Sequence, residues 1–166
     1  MHVLVTAASK HGSTAEIAEL IGAVLTKQGL GATVCAPDDV VGVDGYDAVV
    51  LGSAVYAGHW LDPAQRFAER HAAGLADRPV WLFSSGPIGD PPIPADHAVD
   101  ARRVEAIAGP VEHRVFAGAL HRARLGFAER ALIAALRAPY GDFRDWEAVR
   151  QWAHGIADTI TRQGTH

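Results

Sequence analysis

The 166-residue sequence predicts an α/β fold, a single parallel sheet with helices on both faces. Three observations carry this. Short apolar runs alternate with amphipathic stretches along the chain. The runs are too uniformly apolar to be half exposed, which is how strands buried on both faces read. Gly, Pro and Asp clusters separate the two kinds of stretch.

In order, Val3–Ala7 is a buried strand. Ile17, Leu20, Ile21, Val24 and Leu25 then fall on one face at helical spacing, and Gly29 and Gly31 end that helix. Ala32–Ala36 is the second strand, broken by Pro37-Asp38-Asp39. Asp44-Gly45 is a turn, and Tyr46–Leu51 is the third strand. Gly52–Trp60 reads as a loop rich in Gly and aromatics. Asp62-Pro63, cap then Pro, opens a helix. Pro79–Phe83 is the fourth strand, and Ser84–Pro94 is a long loop with four prolines. Helix Val99–Ala108, a fifth strand over Val111–Ala117, helix Leu125–Leu136 and helix Trp146–Ile160 complete the chain. With no internal repeat and no linker, residues 1–166 read as one domain.

Composition narrows the function. A net charge of −4 leaves no excess cation to release counterions from nucleic acid. Cys35 is the sole cysteine, so a disulfide framework and a Cys-rich metal site are excluded. A lone thiol fits a reducing cytoplasm. The start shows neither a basic leader nor a long apolar run, and no stretch is long enough to span a bilayer.

Ligands of such sheets bind at the carboxyl ends of the strands, at the point where strand order reverses. Three loops qualify: Ala8–Thr14, Gly52–Trp60 and Ser84–Asp90. In a five-stranded order 2-1-3-4-5 their strands are adjacent, so the loops form one site. The first loop, Ser9-Lys10-His11-Gly12-Ser13-Thr14, precedes a helix N-terminus. Unpaired N–H groups and the helix dipole make that a seat for phosphate, and Gly12 lets the backbone approach it. Ser9, Ser13 and Thr14 add hydroxyl donors. Ser13-Thr14-Ala15-Glu16 also fits a capping box that binds nothing. Neither Gly-x-Gly-x-x-Gly nor a Walker loop is present. A single phosphate monoester therefore fits better than a triphosphate or a nicotinamide dinucleotide. Tyr56 or Trp60 can stack on a flat ring beside it.

The loop Ala8–Thr14 resembles the FMN phosphate loop of flavodoxins, departing at His11, where those proteins usually have Thr. The resemblance extends to the flavodoxin-domain family of menaquinone-dependent protoporphyrinogen dehydrogenases. Its further marks are the basic Lys10, Gly52-Ser53-Ala54 with Gly58-His59-Trp60, Phe116–Leu120, and Asp145-Trp146-Glu147. It implies a flavodoxin-like three-layer sandwich holding one FMN. The phosphate would lie on Ser9, Lys10, His11, Gly12, Ser13 and Thr14. The ring would lie between Ser53, Ala54, Val55, Tyr56, Ala57 and Gly58 on one side and Ser84, Ser85, Gly86, Pro87 and Gly89 on the other. It implies oxidation of a small electron donor, a porphyrinogen being one, with electrons passed to a quinone or a redox protein. An electron carrier docking on protein partners, and a binding module that has lost FMN, are the alternatives.

Residues 121–139 hold Arg122, Arg124, Arg130 and Arg137 against Glu129 alone, with Leu125, Leu132, Ile133 and Leu136 as an apolar side. Such a helix either touches an anionic membrane surface at the inner face or packs on the domain as a lid. His59 is a candidate proton relay beside the ring. His97, His113 and His121 read as exposed, and no histidine spacing marks a metal site. No catalytic residue can be assigned by spacing.

Overall fold

The computed structural model describes residues 1–56, 58–86, 101–136 and 140–165. Five parallel strands form the central sheet: β1 (His2–Ala8), β2 (Gly31–Cys35), β3 (Ala48–Tyr56), β5 (Val80–Ser85) and β6 (Glu112–Phe116). Their order is β2-β1-β3-β5-β6, which is 2-1-3-4-5 when the parallel strands are counted alone. A short strand β4 (His59–Trp60) pairs antiparallel with the end of β3. The helices are α1 (Ser13–Lys27), α2 (Asp62–Arg70), α3 (Ala72–Ala76), α4 (Arg102–Ala108), α5 (Phe127–Leu136) and α6 (Trp146–Gln163). A separate ribbon pairs β7 (Ala119–Leu120) with β8 (Gly141–Asp142).

The period of two along β1 sorts its side chains into two cores. Val3, Val5 and Ala7 join Ile17, Ile21, Trp152 and Ile156 in the core under α1 and α6. Leu4 and Ala8 join Phe67, Leu75 and Val104 in the core under α2, α3 and α4. Val50 pairs with Val5 and Trp81, so β1, β3 and β5 are buried on both faces as their composition requires.

Three expectations are corrected. The third strand does not end at Leu51. Gly52–Tyr56 continues it, because Ser53 and Ala54 pair with Ser84 and Ser85, while Val55 and Tyr56 pair with Trp60 and His59. Asp62 is not a cap: it is the first residue of α2, and the cap position is Leu61. The Leu125–Leu136 helix starts at Phe127, preceded by a 3-10 turn at Arg122–Arg124. Ala57, Pro87, Gly89 and the rest of the Pro-rich loop to residue 100 lie outside the described residues.

Candidate functional site

The ends of β1, β3 and β5 lie side by side. Ala8 pairs with Ser53, and Ser53 pairs with Ser84. The three loops that follow these strands are thereby brought to one edge of the sheet. At Gly86, φ is +115°, and its N–H donates to the Phe116 carbonyl at 2.9 Å. A β-carbon there would lie 3.4 Å from Val55, so Gly86 and the end of β3 lie against each other.

The first loop makes a helix N-terminus of unusual form. Gly12 is the cap residue of α1, with φ +90° and no side-chain cap. The capping box expected at Ser13–Glu16 is therefore absent. The Ser9 hydroxyl accepts from the Gly12 N–H at 3.1 Å, and the first intrahelical bond runs from Glu16 N–H to the Gly12 carbonyl. The N–H groups of Ser13, Thr14 and Ala15 precede it and have no intrahelical acceptor. Thr14 is buried and offers mainly its backbone, while Ser9, His11 and Ser13 are half-buried around the same point.

Charged groups distant in sequence surround this loop. His11 Nε2 lies 2.5 Å from Glu129 Oε2, and Lys10 Nζ lies 3.4 Å from the same oxygen. The His11 hydrogen bond, the largest contribution, holds the Glu129 carboxyl below the usual carboxylate range. Arg124 donates to the His11 carbonyl at 3.2 Å and lies 3.5 Å from Glu16. Arg144, nearly buried, donates to the Ser13 carbonyl at 3.2 Å and to Glu16 at 2.7 Å, and pairs with Asp142 at 2.6 Å. The first loop is also tied to the second: Lys10 Nζ stands 4.3 Å from the centroid of the Tyr56 ring.

Sequence reading names Arg124 and Glu129 as parts of a basic helix but does not connect them to this loop, and it misses Arg144. Each lies more than a hundred residues from the loop it touches, and no local spacing marks it. Arg144 pins the β7–β8 ribbon to α1. Its hydrogen bonds hold Asp142 and Glu16 below their ordinary values of 3.8 and 4.5. Carboxylates with depressed pKa contribute stability above their unfolded values, and the contribution is lost as pH falls through the folded ones. Arg144→Met is expected to lower stability by about 2 kcal/mol at neutral pH, the scale of a charge-assisted hydrogen-bond set with half-exposed acceptors. The gap between variant and wild type should narrow as pH drops below 4.5 and then 3.8. Denaturant melts across that pH range measure it.

The second and third loops differ from expectation in their aromatics and hydroxyls. Trp60 is not free to stack on a ligand: it is 2 % exposed, sits in the α2–α4 core, and donates to Ser84 Oγ at 2.7 Å. Tyr56 stays at the surface. The Ser53 hydroxyl is occupied, accepting from Leu61 N–H at 2.9 Å and donating to the Ala54 carbonyl at 2.8 Å. His113, expected at the surface, is half-buried between Ser84 Oγ at 2.8 Å and Glu105 at 2.6 Å.

Hydrogen bonds link Trp60, Ser84, His113 and Glu105 in a chain. An indole N–H only donates. Ser84 then accepts from Trp60, and its own hydroxyl hydrogen is available to His113 Nε2, with His113 Nδ1 facing Glu105. The arrangement resembles a Ser–His–carboxylate triad, but Ser84 is fully buried and cannot meet a substrate. Its role is a clamp joining β4, β5, β6 and α4. Ser84→Ala leaves two buried partners unpaired, so a loss of about 2 kcal/mol in thermal or denaturant unfolding is expected. His113→Phe, which also breaks the chain, should cost a similar amount.

Beside the first loop, on the β2 side, lies a cavity of about 450 Å³. Ser9 and Gly12 line it, with Ala15, Cys35, Ala36 and Asp38. It opens where these side chains are small. Burial raises the Cys35 thiol above its usual value. No residue of Ser53–Tyr56 or Ser84–Gly86 lines this cavity, so it is separate from the expected ring position.

Among the described residues, α5 does not bury an apolar stripe. No described residue of α5 belongs to either core, and Phe127 is 90 % exposed. Among the described residues no helix is long and apolar enough to cross a membrane.

Comparison with known proteins agrees with this architecture. Protoporphyrinogen IX dehydrogenase (quinone) of Escherichia coli K12 is 25 % identical over 172 residues, covering 95 % of each chain. Flavodoxin 1 from Bacillus cereus superposes with a TM-score of 0.62 at 17 % identity, covering 93 % of this chain and 95 % of that one. The Streptococcus pneumoniae TIGR4 flavodoxin gives 0.61 at 20 % identity, covering 98 % and 99 %. The flavodoxin domain family matches residues 4–146, and the chain belongs to that family.

Proposed function

We propose that this chain is an FMN-dependent oxidoreductase. Flavodoxins bind FMN, and the residues present fit it. One observation carries the reading: an uncapped helix N-terminus behind a left-handed Gly12, with Lys10 and His11 on the same loop, adjoins the exposed Tyr56 and the end of β5. In this reading the phosphate rests on Ser9, Lys10, His11, Gly12, Ser13 and Thr14, held by N–H groups and flanking positive charge. Tyr56 offers a ring face. Backbone groups of Ser53–Gly58 and Ser84–Gly89 orient the polar edge. The hydroxyls of Ser53 and Ser84 are spent inside the fold, so they act through the backbone they hold in place. FMN, when bound, supplies transfer of two electrons from a donor to an acceptor. The residues around it bind, orient and exclude water.

The donor we propose is a porphyrinogen and the acceptor a quinone. The support is 25 % identity, across nearly the whole of both chains, to a protein named for that reaction. The test is an absorbance spectrum of the purified protein with added FMN, followed by anaerobic reduction. Bands near about 375 and 450 nm that stay with the protein establish the flavin, since these are the ring's own transitions. Bleaching by protoporphyrinogen, with colour restored by menaquinone, establishes the reaction. Bleaching by a reductase system alone, with no response to protoporphyrinogen, would favour an electron carrier. A protein that ignores added FMN would overturn the reading.

A further inference from the structure

We propose that Glu129 is an internal competitor for the phosphate cradle: its carboxylate latches the segment 121–136 onto Lys10 and His11, and a phosphate monoester releases it. The inference rests on the reading that this cradle takes such a group.

The segment has the build of a strap. Its base is fixed. Ala119 and Leu120 pair with Asp142 and Gly141, and Arg144 ties that ribbon to Ser13 and Glu16. The helix it carries, α5, gives no described residue to either core and leaves Phe127 and Leu132 exposed. Among the described residues the apolar anchor is Leu125, buried just ahead of α5, and the contacts from α5 to the cradle are polar. Two side chains of the loop converge on one oxygen of Glu129, His11 Nε2 at 2.5 Å and Lys10 Nζ at 3.4 Å. Arg124 adds a bond to the His11 carbonyl, and its guanidinium lies 3.8 Å from the point where a Gly12 β-carbon would stand.

A carboxylate held by an ammonium and an imidazole at a helix N-terminus occupies the electrostatic position of a bound anion. A phosphate monoester brings up to two negative charges and three acceptor oxygens to the same donors, against one charge from Glu129. Lys10 and His11 cannot satisfy both fully. The coupling is reciprocal: whatever anion binding takes from the latch, the latch takes from anion affinity. Arg124, which binds a backbone carbonyl and Glu16 rather than Glu129, remains beside the cradle when Glu129 leaves.

The experiment measures amide hydrogen exchange over residues 122–136 of the full chain, and binding of FMN and of inorganic phosphate. Sodium chloride at matched ionic strength is the control. In the wild type, either phosphate ligand should speed exchange in the strap while chloride does not. In Glu129→Gln the strap should exchange quickly without ligand. Affinity for both ligands should rise about tenfold, the effect of losing one competing charge-assisted bond. Glu129→Asp, which keeps the charge on a shorter arm, should fall between. Exchange that slows on ligand binding would overturn the proposal, making the strap a lid that closes on its ligand. So would weaker binding by Glu129→Gln, or binding that leaves the strap unchanged. If inorganic phosphate opens the strap but FMN neither binds nor opens it, the latch stands and the FMN reading fails. If FMN binds with its colour and the strap does not respond, the latch fails and the FMN reading stands.

Discussion

Gly12→Asp abolishes FMN binding while the fold survives: this is the expected result with the largest functional effect. Gly12 sits at φ +90° at the mouth of the cradle. A side chain there is strained by about 1–2 kcal/mol, and Asp is among the residues that tolerate it best. The space itself is open, since the nearest atom to an added β-carbon is Arg124 Nη1 at 3.8 Å. The introduced carboxylate would therefore settle beside Arg124, where the phosphate is proposed to lie. Repulsion of a dianion and loss of backbone approach together should weaken FMN by at least about a hundredfold, or about 2.7 kcal/mol. Gly12→Ala adds the strain without the charge and should show a smaller loss. Fluorescence titration with FMN, alongside circular dichroism, separates binding from folding. Full retention of flavin by the aspartate variant would place the phosphate elsewhere.

The largest effect on stability is expected from Gly52→Ala, a change of one methyl group. Gly52 lies on the central strand β3, paired with Ala7 on one side and Phe83 on the other. An added β-carbon would fall 2.2, 2.3 and 2.6 Å from three atoms of the Phe83 ring. The ring has little room to retreat. It is fully buried, with Phe116 at 6.2 Å and Trp152 at 6.1 Å between ring centroids. Overpacking against aromatics on a rigid sheet should cost about 3 kcal/mol. For a chain of this size that is a fall of about 10 °C in melting temperature. Phe83→Leu alone should also destabilise, by lost packing. The two changes together should cost less than their sum, because the shorter side chain removes the clash. Strict additivity would show that Phe83 is not what excludes a β-carbon at Gly52.

Gly52 also shows why parts of the site were hard to read. A stretch of Gly, Ser and scattered aromatics has no strand pattern of its own, so Gly52–Trp60 reads as a loop. Gly52–Tyr56 is strand because β1, β5 and β4 pair with it, and strand preference depends on neighbours. Trp60 misleads in a similar way. An aromatic in a Gly-rich stretch looks like a ligand contact, and its actual partner, Ser84, lies in another strand. His113 reads as exposed because Glu105 and Ser84, which bury and bind it, come from elsewhere in the chain.

What the sequence determined by itself was the layered frame and the place of the site. Apolar runs that alternate with amphipathic ones require a sheet buried on both faces, and the ends of such strands are where loops meet. That information is periodic and local, carried by neighbours such as Val3, Leu4 and Val5. The tertiary structure alone decided the electrostatics of the cradle. Lys10 and His11 are visible in the sequence of the loop, but their partner Glu129 and the nearby Arg124 and Arg144 arrive through a ribbon and a strap. Ion pairs form wherever the fold brings two charges together. They leave no period in the sequence, so no reading of spacing finds them.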